Sequence, residues 1–245
     1  QALESRARRL QNSGLLPMAG FGEYLQRELI EPLPDLLQRY QQLLALWPTP
    51  LTSALPVNLE LHGLQVEGWI SGLHQRADGG LLSVTTIPNK IGSIKTRKWH
   101  RLIKPWVNHL VACASGLAMT TALVASDDSL VLAPLPAQSA QRILGDLLLA
   151  WQSGMRQPLP IAVKTAFAWL GQTEPHKAEA AARKAYEGDG QNTDGERRES
   201  VALARQFADY DALIADETFV DWCNALYRPL LEAPWHSMSS EEARP

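Results

Sequence analysis

The chain has 245 residues, of which 45% are hydrophobic and 20% charged, and its formal net charge is −3. These values are those of an ordinary folded domain and argue against a disordered or fibrous chain. No apolar run approaches the roughly 18 residues that a membrane helix needs, which argues against a membrane-spanning protein.

The first 17 residues are polar and rich in arginine, and the chain opens on Gln1 rather than methionine. We therefore interpret residues 1–17 as a lead-in from a longer chain, followed by a single domain over residues 18–245. Within that domain the patterns described below predict a sheet core at 48–170 and a helical tail at 171–245.

Residues 20–46 carry apolar side chains at intervals of three and four, which is typical of helices. Pro32 and Pro34 interrupt this pattern because proline lacks an N–H donor and disfavours the helical conformation of the residue before it. The sequence therefore predicts two helices with a break between them.

Strand patterns begin at Val57, where apolar and polar residues alternate as far as Leu61. A second alternating run, LQVEGWISGL, follows His62 and Gly63. A third, LLSVTTI, follows Asp78 and Gly79, a pair that favours a hairpin turn. These runs predict three antiparallel strands in a row.

From Trp99 to Gly116 the apolar spacing returns to that of a helix, with Pro105 either kinking it or lying in its first turn. Two strands are predicted around a turn at 126–128, and a long helix at 138–154. The remainder is predicted to be helical apart from a flexible loop at 187–199. This order predicts an α/β fold: a central mixed sheet flanked by helices, with an additional helical C-terminal part.

Three polar positions on the predicted strands are informative about chemistry. GWIS, which ends at Ser71, is similar to the G-x-I-D motif of PD-(D/E)xK nucleases, and LLSVT, which holds Ser83 and Thr85, is similar to their L-L-D-x-K motif. Residues two apart on a strand share a face, and the resemblance implies that acids on that face would hold a divalent ion. Here all three positions carry hydroxyls, so we predict a degenerate nuclease-like domain with no catalytic residue and no metal.

These motifs, together with residues 145–170 and the acidic helical tail, resemble the family of RecC C-terminal domains. RecC is the gamma subunit of RecBCD, an ATP-dependent helicase and exodeoxyribonuclease that acts in double-strand-break repair and recombination. The resemblance implies a non-catalytic scaffold that docks the RecD and RecB subunits and helps steer or split duplex or forked DNA. It implies no cofactor, no small-molecule substrate, no membrane and a cytoplasmic location, which two cysteines without metal-type spacing also favour.

A basic segment at 90–104 stands out in a chain of negative net charge. Between residues 68 and 126, Asp78 is the single acid against seven basic residues. Basic clusters can neutralise phosphates, so we take six residues as candidates for DNA binding: Lys90, Lys95, Arg97, Lys98, Arg101 and Lys104. Trp99 and Trp106 lie on the apolar face of the predicted helix and are interpreted as core residues. Residues 88–96 and residues 72–82 both remain candidates for a protrusion that divides the duplex.

The last third of the chain is acidic, with fifteen acids against eight bases from Glu174 onward. Aromatic residues are enriched at protein interfaces, which makes Trp222, Tyr227 and Trp235 candidates for partner contact. Helical spacing favours packing within the domain's own core for most of this segment. Trp235 follows Pro234 in a polar stretch and is the stronger interface candidate.

Two other classes of function remain open. One is an active nuclease with displaced ligands, because Glu60, Glu67 and Asp78 lie near the altered motif. The other is a free-standing DNA-binding module. The module would bind forked DNA alone with a steep salt dependence, whereas a docking domain would bind its partner and hold DNA weakly.

Overall fold

The computed structural model describes residues 5, 6, 9, 13, 14, 20–93, 96–190 and 193–238. Most of the predicted lead-in at 1–17 lies outside these residues. From residue 20 onward the chain forms helices α1 (Gly20–Ile30) and α2 (Leu33–Leu46). The break between them falls at Pro32, as the two prolines predicted.

The strands form two sheets. Among the described residues, strands β2 (Leu55–Leu61) and β3 (Leu64–Ile70) pair only with each other, as a two-stranded antiparallel sheet. The central sheet has six strands in the order β1 (Thr49–Pro50), β4 (Leu73–Gln75), β5 (Leu81–Ile87), β6 (Met119–Ala125), β7 (Ser129–Leu132) and β8 (His236–Ser237). Strands β5 and β6 are parallel and the other neighbours are antiparallel, so the mixed sheet flanked by helices is confirmed.

The prediction of three antiparallel strands in a row is wrong in one respect. The second predicted strand is two strands, separated at Ser71 and Gly72, where Gly72 has a φ of 69° that favours glycine. Its first part stays with the hairpin, and its second part, β4, pairs with β5 around the turn at Asp78 and Gly79. The hairpin therefore leaves the central sheet, and its inward face packs over the helices beside it.

The parallel connection from β5 to β6 runs through the basic segment. After a 3-10 turn (Trp99–Leu102), helix α3 spans Ile103–Ala114, and Pro105 lies in its first turn. Helix α4 follows β7 and spans Ala137–Gly154. Leu110 of α3 and Ile143 of α4 share a core cluster with Leu123 and Leu130 of the sheet. Helix α2 covers the opposite sheet face through the cluster that includes Leu43 and Leu82.

The hairpin turn of the small sheet is seated on α4. A Cβ atom built on Gly145 would lie 2.6 Å from the Nε2 atom of His62, so a larger residue there would require the His62 side chain to shift. His62 itself has a φ of 52°. Leu59 and Leu61 pack from the same hairpin onto the main core cluster, which fixes its position beside the helices.

The tail is helical, as predicted, and has its own core. Its helices are α5 (Val163–Leu170), α6 (Pro175–Glu187), α7 (Glu196–Glu199), α8 (Val201–Gln206), α9 (Tyr210–Ile214) and α10 (Phe219–Glu232). A cluster that includes Tyr186, Tyr210 and Phe219 holds them together. The tail then returns to the sheet as β8, a strand that the sequence did not predict. No helix in the described ranges is both long and apolar enough to cross a membrane.

Candidate functional site

Ser83 and Thr85 lie on the face of β5 that is turned toward α3. Leu81 and Ile87, which share that face, pack into the clusters that contain Ala112 and Trp106. Ser83 is paired with Leu73 of β4 on one side and is in register with a strand-β6 residue on the other. Both hydroxyl side chains are half-buried, so the i, i+2 spacing does place them together on one face, as the motif predicted.

Ser71 is placed differently. It is exposed and lies in the break between β3 and β4, before Gly72. Strand β4 begins only at Leu73, so the strand pairing with β5 does not extend to Ser71. The two positions on β5 are thus held by the sheet, whereas the third is held by a turn.

Beneath this face lies a buried polar cluster that the sequence did not reveal. The His109 Nδ1 atom is 2.9 Å from the Thr121 hydroxyl oxygen, and the Cys113 Sγ atom is 3.6 Å from His109 Nε2. Burial lowers the pKa of His109 to about 4 and raises the pKa of the Cys113 thiol. Near neutral pH both groups are uncharged, and this burial makes the pair a satisfied core contact rather than an activated nucleophile. The sequence did not predict this contact, because His109 lies on helix α3 whereas its partner Thr121 lies on the following strand, β6.

The acids that could serve a displaced nuclease site do not converge on this face. Glu60 and Glu67 are exposed on the outward face of the hairpin, where Glu67 accepts a hydrogen bond of 2.6 Å from Gln65. Asp78 is paired with Arg76 at 2.7 Å in the β4–β5 turn. Among the residues that the structure describes, no group of three or more His, Cys, Asp or Glu side chains is arranged to hold a metal ion.

The six basic candidates separate into three groups. Lys90, Lys98 and Lys104 are exposed, and Lys95 lies outside the described residues. The Arg97 side chain is only 6% exposed, because it pairs with Asp128 at 3.4 Å and lies over the Trp99 ring at 5.4 Å. Arg101 donates a hydrogen bond of 3.0 Å to the Lys90 carbonyl oxygen. The exposed lysines are free to meet a phosphate, whereas the two arginines hold the segment in shape.

The turn between β6 and β7 anchors this segment. Each oxygen of the Asp127 carboxylate accepts a backbone hydrogen bond of 2.9 Å, one from Ile91 and one from Gly92. Ile91 is fully buried. Gly92 has a φ of 80°, and a Cβ there would lie 2.7 Å from the Thr96 carbonyl oxygen. The described part of the basic segment, residues 90–93 and 96–104, is therefore fixed to the domain by a buried anchor at Ile91.

Asp127 makes this anchor sensitive to acid. Burial would raise the pKa of its carboxyl, but the backbone hydrogen bonds from Ile91 and Gly92 outweigh burial and lower it. A carboxylate with a depressed pKa stabilises the folded state at pH values above its unfolded pKa of about 3.9. This stabilisation is lost as the pH falls through the folded pKa.

A cleft of about 610 Å³ separates the basic segment from α5 and α6. Trp99 and Phe167 form its apolar walls, and none of its described lining residues is acidic. Burial, and then the nearby charges of Lys164 and Arg101, lower the pKa of His100, which also lines the cleft. Trp106 lies beneath the segment and is 2% exposed, so its interpretation as a core residue is confirmed.

The three aromatic candidates for partner contact are all at least partly covered. Trp222 is half-buried. Tyr227 packs on Phe167 with ring centroids 5.1 Å apart, and burial raises the pKa of its hydroxyl. Trp235 packs onto the main core cluster, and its indole Nε1 has no hydrogen-bond partner among the described residues.

Other large apolar side chains are far more exposed than these three. Phe21 on α1 and Trp69 on β3 are each 79% exposed, and Met155 after α4 is 70% exposed. The pattern of the sequence could have pointed to Trp69, because it alternates with Gly68 and Ile70 and so falls on the polar face of its strand.

The structure therefore defines a class of protein, a mixed α/β domain. Ser83 and Thr85 share a face of its central strand β5, and the loop that follows this strand is held by Asp127. The family model for the RecC C-terminal domain matches residues 1–174 of this chain. The chain belongs to the RecC C-terminal domain family, which confirms the resemblance seen in its motifs. Residues 175–245 lie beyond that match.

A curated relative supports the same family. The RecBCD enzyme subunit RecC of Escherichia coli strain K12 is 27% identical to this chain over 164 residues. The aligned part is 66% of this chain but 13% of the relative, so the chain spans a small part of that protein's length.

Proposed function

We propose that this domain is a non-catalytic scaffold of a RecBCD-type helicase and nuclease complex in double-strand-break repair and recombination. It docks the RecD and RecB subunits and helps steer or split duplex DNA. Family membership supports the complex, since the relative in Escherichia coli is named as a subunit of the RecBCD enzyme.

The proposal that the domain is non-catalytic rests on the face of β5 that holds Ser83 and Thr85. Divalent cations such as Mg²⁺ are bound through charged carboxylates, and a neutral hydroxyl cannot replace two of them. A rival active nuclease would need acids on this same face. Glu60 and Glu67 lie instead on the outward face of the neighbouring hairpin, where no lysine stands two positions away.

Charge separation supports a scaffold that meets DNA and protein on different surfaces. The exposed lysines 90, 98 and 104 lie between the end of β5 and the first turn of α3, whereas the excess of acids lies in the helical tail. A polyanion is attracted to the first surface and repelled by the second. Protein partners are therefore expected at the tail.

The direct test of docking is capture of separately expressed cognate RecD and RecB chains by the 245-residue chain. We expect capture of RecD, RecB or both, and weaker capture by the Trp222→Ala variant. Trp69→Ala is the matched control, since it removes an exposed tryptophan from the hairpin instead of the tail. If neither chain is captured, the scaffold proposal is contradicted. Loss with Trp69→Ala alone would move the docking surface to the hairpin.

DNA steering predicts a salt-dependent contact through the three exposed lysines. Each phosphate contact contributes about 0.9 to the slope of log affinity against log salt on duplex DNA. Replacing Lys90, Lys98 and Lys104 with alanine is expected to lower this slope by about 2 to 3, measured by anisotropy with forked DNA at low salt.

The matched control replaces three cations of the helical tail, Lys177, Lys184 and Arg205, and should leave the slope unchanged. An equal decrease in both variants would indicate a general charge effect and contradict a DNA surface at residues 90–104. Tight binding of forked DNA by the chain alone, without capture of RecD or RecB, would favour a free-standing DNA-binding module.

A further inference from the structure

A small pocket opens in the helical tail, mostly in the part of the chain that the family match does not cover. It lies where α5, α6, α9 and α10 meet and encloses about 230 Å³. The residues that line it are aromatic, aliphatic or acidic: Trp169, Glu179, Tyr210, Ile214, Glu217, Phe219 and Val220. No basic residue is among these lining residues.

Aromatic rings form the base of the pocket. Tyr210 is fully buried and Phe219 is 1% exposed, and their ring centroids are 6.2 Å apart in an edge-on arrangement. Trp169 meets Phe219 edge-on as well, at 6.0 Å. Aromatic faces carry partial negative charge and attract cations, with tryptophan the most effective.

The Tyr210 hydroxyl is an unused polar group at this site. It is buried and has no hydrogen-bond partner in the described part of the chain. Burial raises the pKa of Tyr210 to about 12, so the hydroxyl stays protonated at neutral pH. A buried polar group without a partner is costly.

Two carboxylates stand at the pocket. Glu217 is exposed and forms no ion pair among the described residues, whereas Glu179 lies 3.6 Å from Arg183. The Arg183 guanidinium lies 4.7 Å from the centroid of the Tyr210 ring and also pairs with Asp211 at 2.6 Å. The protein therefore already places one guanidinium against this ring, and that cation is paired by carboxylates on both α6 and α9.

We propose that this pocket binds the cationic side chain of an arginine or lysine presented by a protein partner. The aliphatic stem packs on Ile214 and Val220, and the charged group lies near the aromatic rings and the carboxylate of Glu217. The aromatic lining and the unpaired Glu217 carboxylate both favour such a ligand over an anion or a neutral side chain. The proposal rests on the docking function proposed above and places one anchor of that docking in the tail.

The test uses short blocked peptides and the whole 245-residue chain. Gly-Arg-Gly is titrated while the indole resonance of Trp169 is followed by NMR, and Gly-citrulline-Gly serves as its neutral isostere. We expect saturable binding of the arginine peptide with a dissociation constant on the order of 1 mM, the weak range for a single side chain. Glu217→Gln should weaken it about five-fold or more, and Glu232→Gln, which changes an exposed carboxylate at the far end of α10, should leave it unchanged.

Equal binding of the citrulline peptide, or no saturable shift with the arginine peptide, would overturn the proposal. Displacement of the peptide by forked DNA would do so too, since the site would then belong to a nucleic acid. These outcomes are separate from the capture experiment. If RecD or RecB is captured but the arginine peptide does not bind, docking stands and the pocket is not its anchor.

Discussion

Replacing Trp106 with alanine is expected to lower the free energy of unfolding by about 3–5 kcal/mol. The Trp106 side chain is 2% exposed and belongs to the main core cluster, which contains Leu110 and Leu123. Its ring also stacks on His109, with centroids 6.1 Å apart and planes 12° apart. Truncation therefore leaves a cavity between α3 and the central sheet that the rigid sheet cannot close.

Urea unfolding followed by circular dichroism measures this loss. The matched control is Trp69→Ala, which removes the same type of side chain from a position that is 79% exposed and should change stability by no more than about 0.5 kcal/mol. Unchanged stability of Trp106→Ala together with weaker DNA binding would contradict the core position and make Trp106 a stacking platform for bases.

Much of this fold could be predicted because its elements follow simple periodicities. The three- and four-residue spacing around Leu36 and Leu43 predicted α2, and alternation through Val57 and Leu59 predicted β2. The break at Gly72 is also indicated by the sequence pattern. From Leu64 to Ile70 the inward-facing residues fall on even positions, but the next apolar residue that is buried is Leu73, and this change of parity is incompatible with one continuous strand.

The remaining features depend on contacts between distant segments, which periodicity does not encode. The charge pattern predicts Arg97 as a candidate phosphate ligand, but Asp128, 31 residues further along, holds its side chain in an ion pair. Strand β8 has two residues and exists because its backbone pairs with Leu130 and Val131. The pocket around Tyr210 draws on four helices, each of which is an ordinary amphipathic segment by itself.

Restoring charged residues at the altered motif is expected to create a site for a divalent cation. A triple variant with Ser71→Asp, Ser83→Asp and Thr85→Lys is expected to bind Mn²⁺ or Mg²⁺ with a dissociation constant on the order of 1 mM, where the parent chain gives no binding heat. Ser83 and Thr85 share a face of β5, so a carboxylate and an ammonium would be restored at the spacing that the metal-dependent nucleases use. Isothermal calorimetry measures the gain.

The matched control carries asparagine in place of both aspartates and keeps Thr85→Lys, which preserves shape but removes the two negative charges. Binding by this control would mean that the metal is held elsewhere. No binding by a folded triple variant would mean that the alignment with the nuclease motif or the geometry of the site is wrong.

The position of Ser71 makes a further distinction possible. Ser83 and Thr85 are fixed by the pairing of β5 within the sheet, but Ser71 lies in the turn before Gly72, beyond the first residue pair of β4 and β5. If the double variant with Ser83→Asp and Thr85→Lys binds as well as the triple variant, the carboxylate introduced at position 71 does not reach the ion. The chain would then differ from a nuclease in two ways, through its hydroxyls and through a strand break that withdraws the third ligand. The opposite outcome is that the triple variant binds the ion at least about ten-fold more tightly than the double variant, a difference of about 1.4 kcal/mol. The backbone before Gly72 would then still present position 71 to the site. In that case the hydroxyls alone would separate this domain from a metal-binding one.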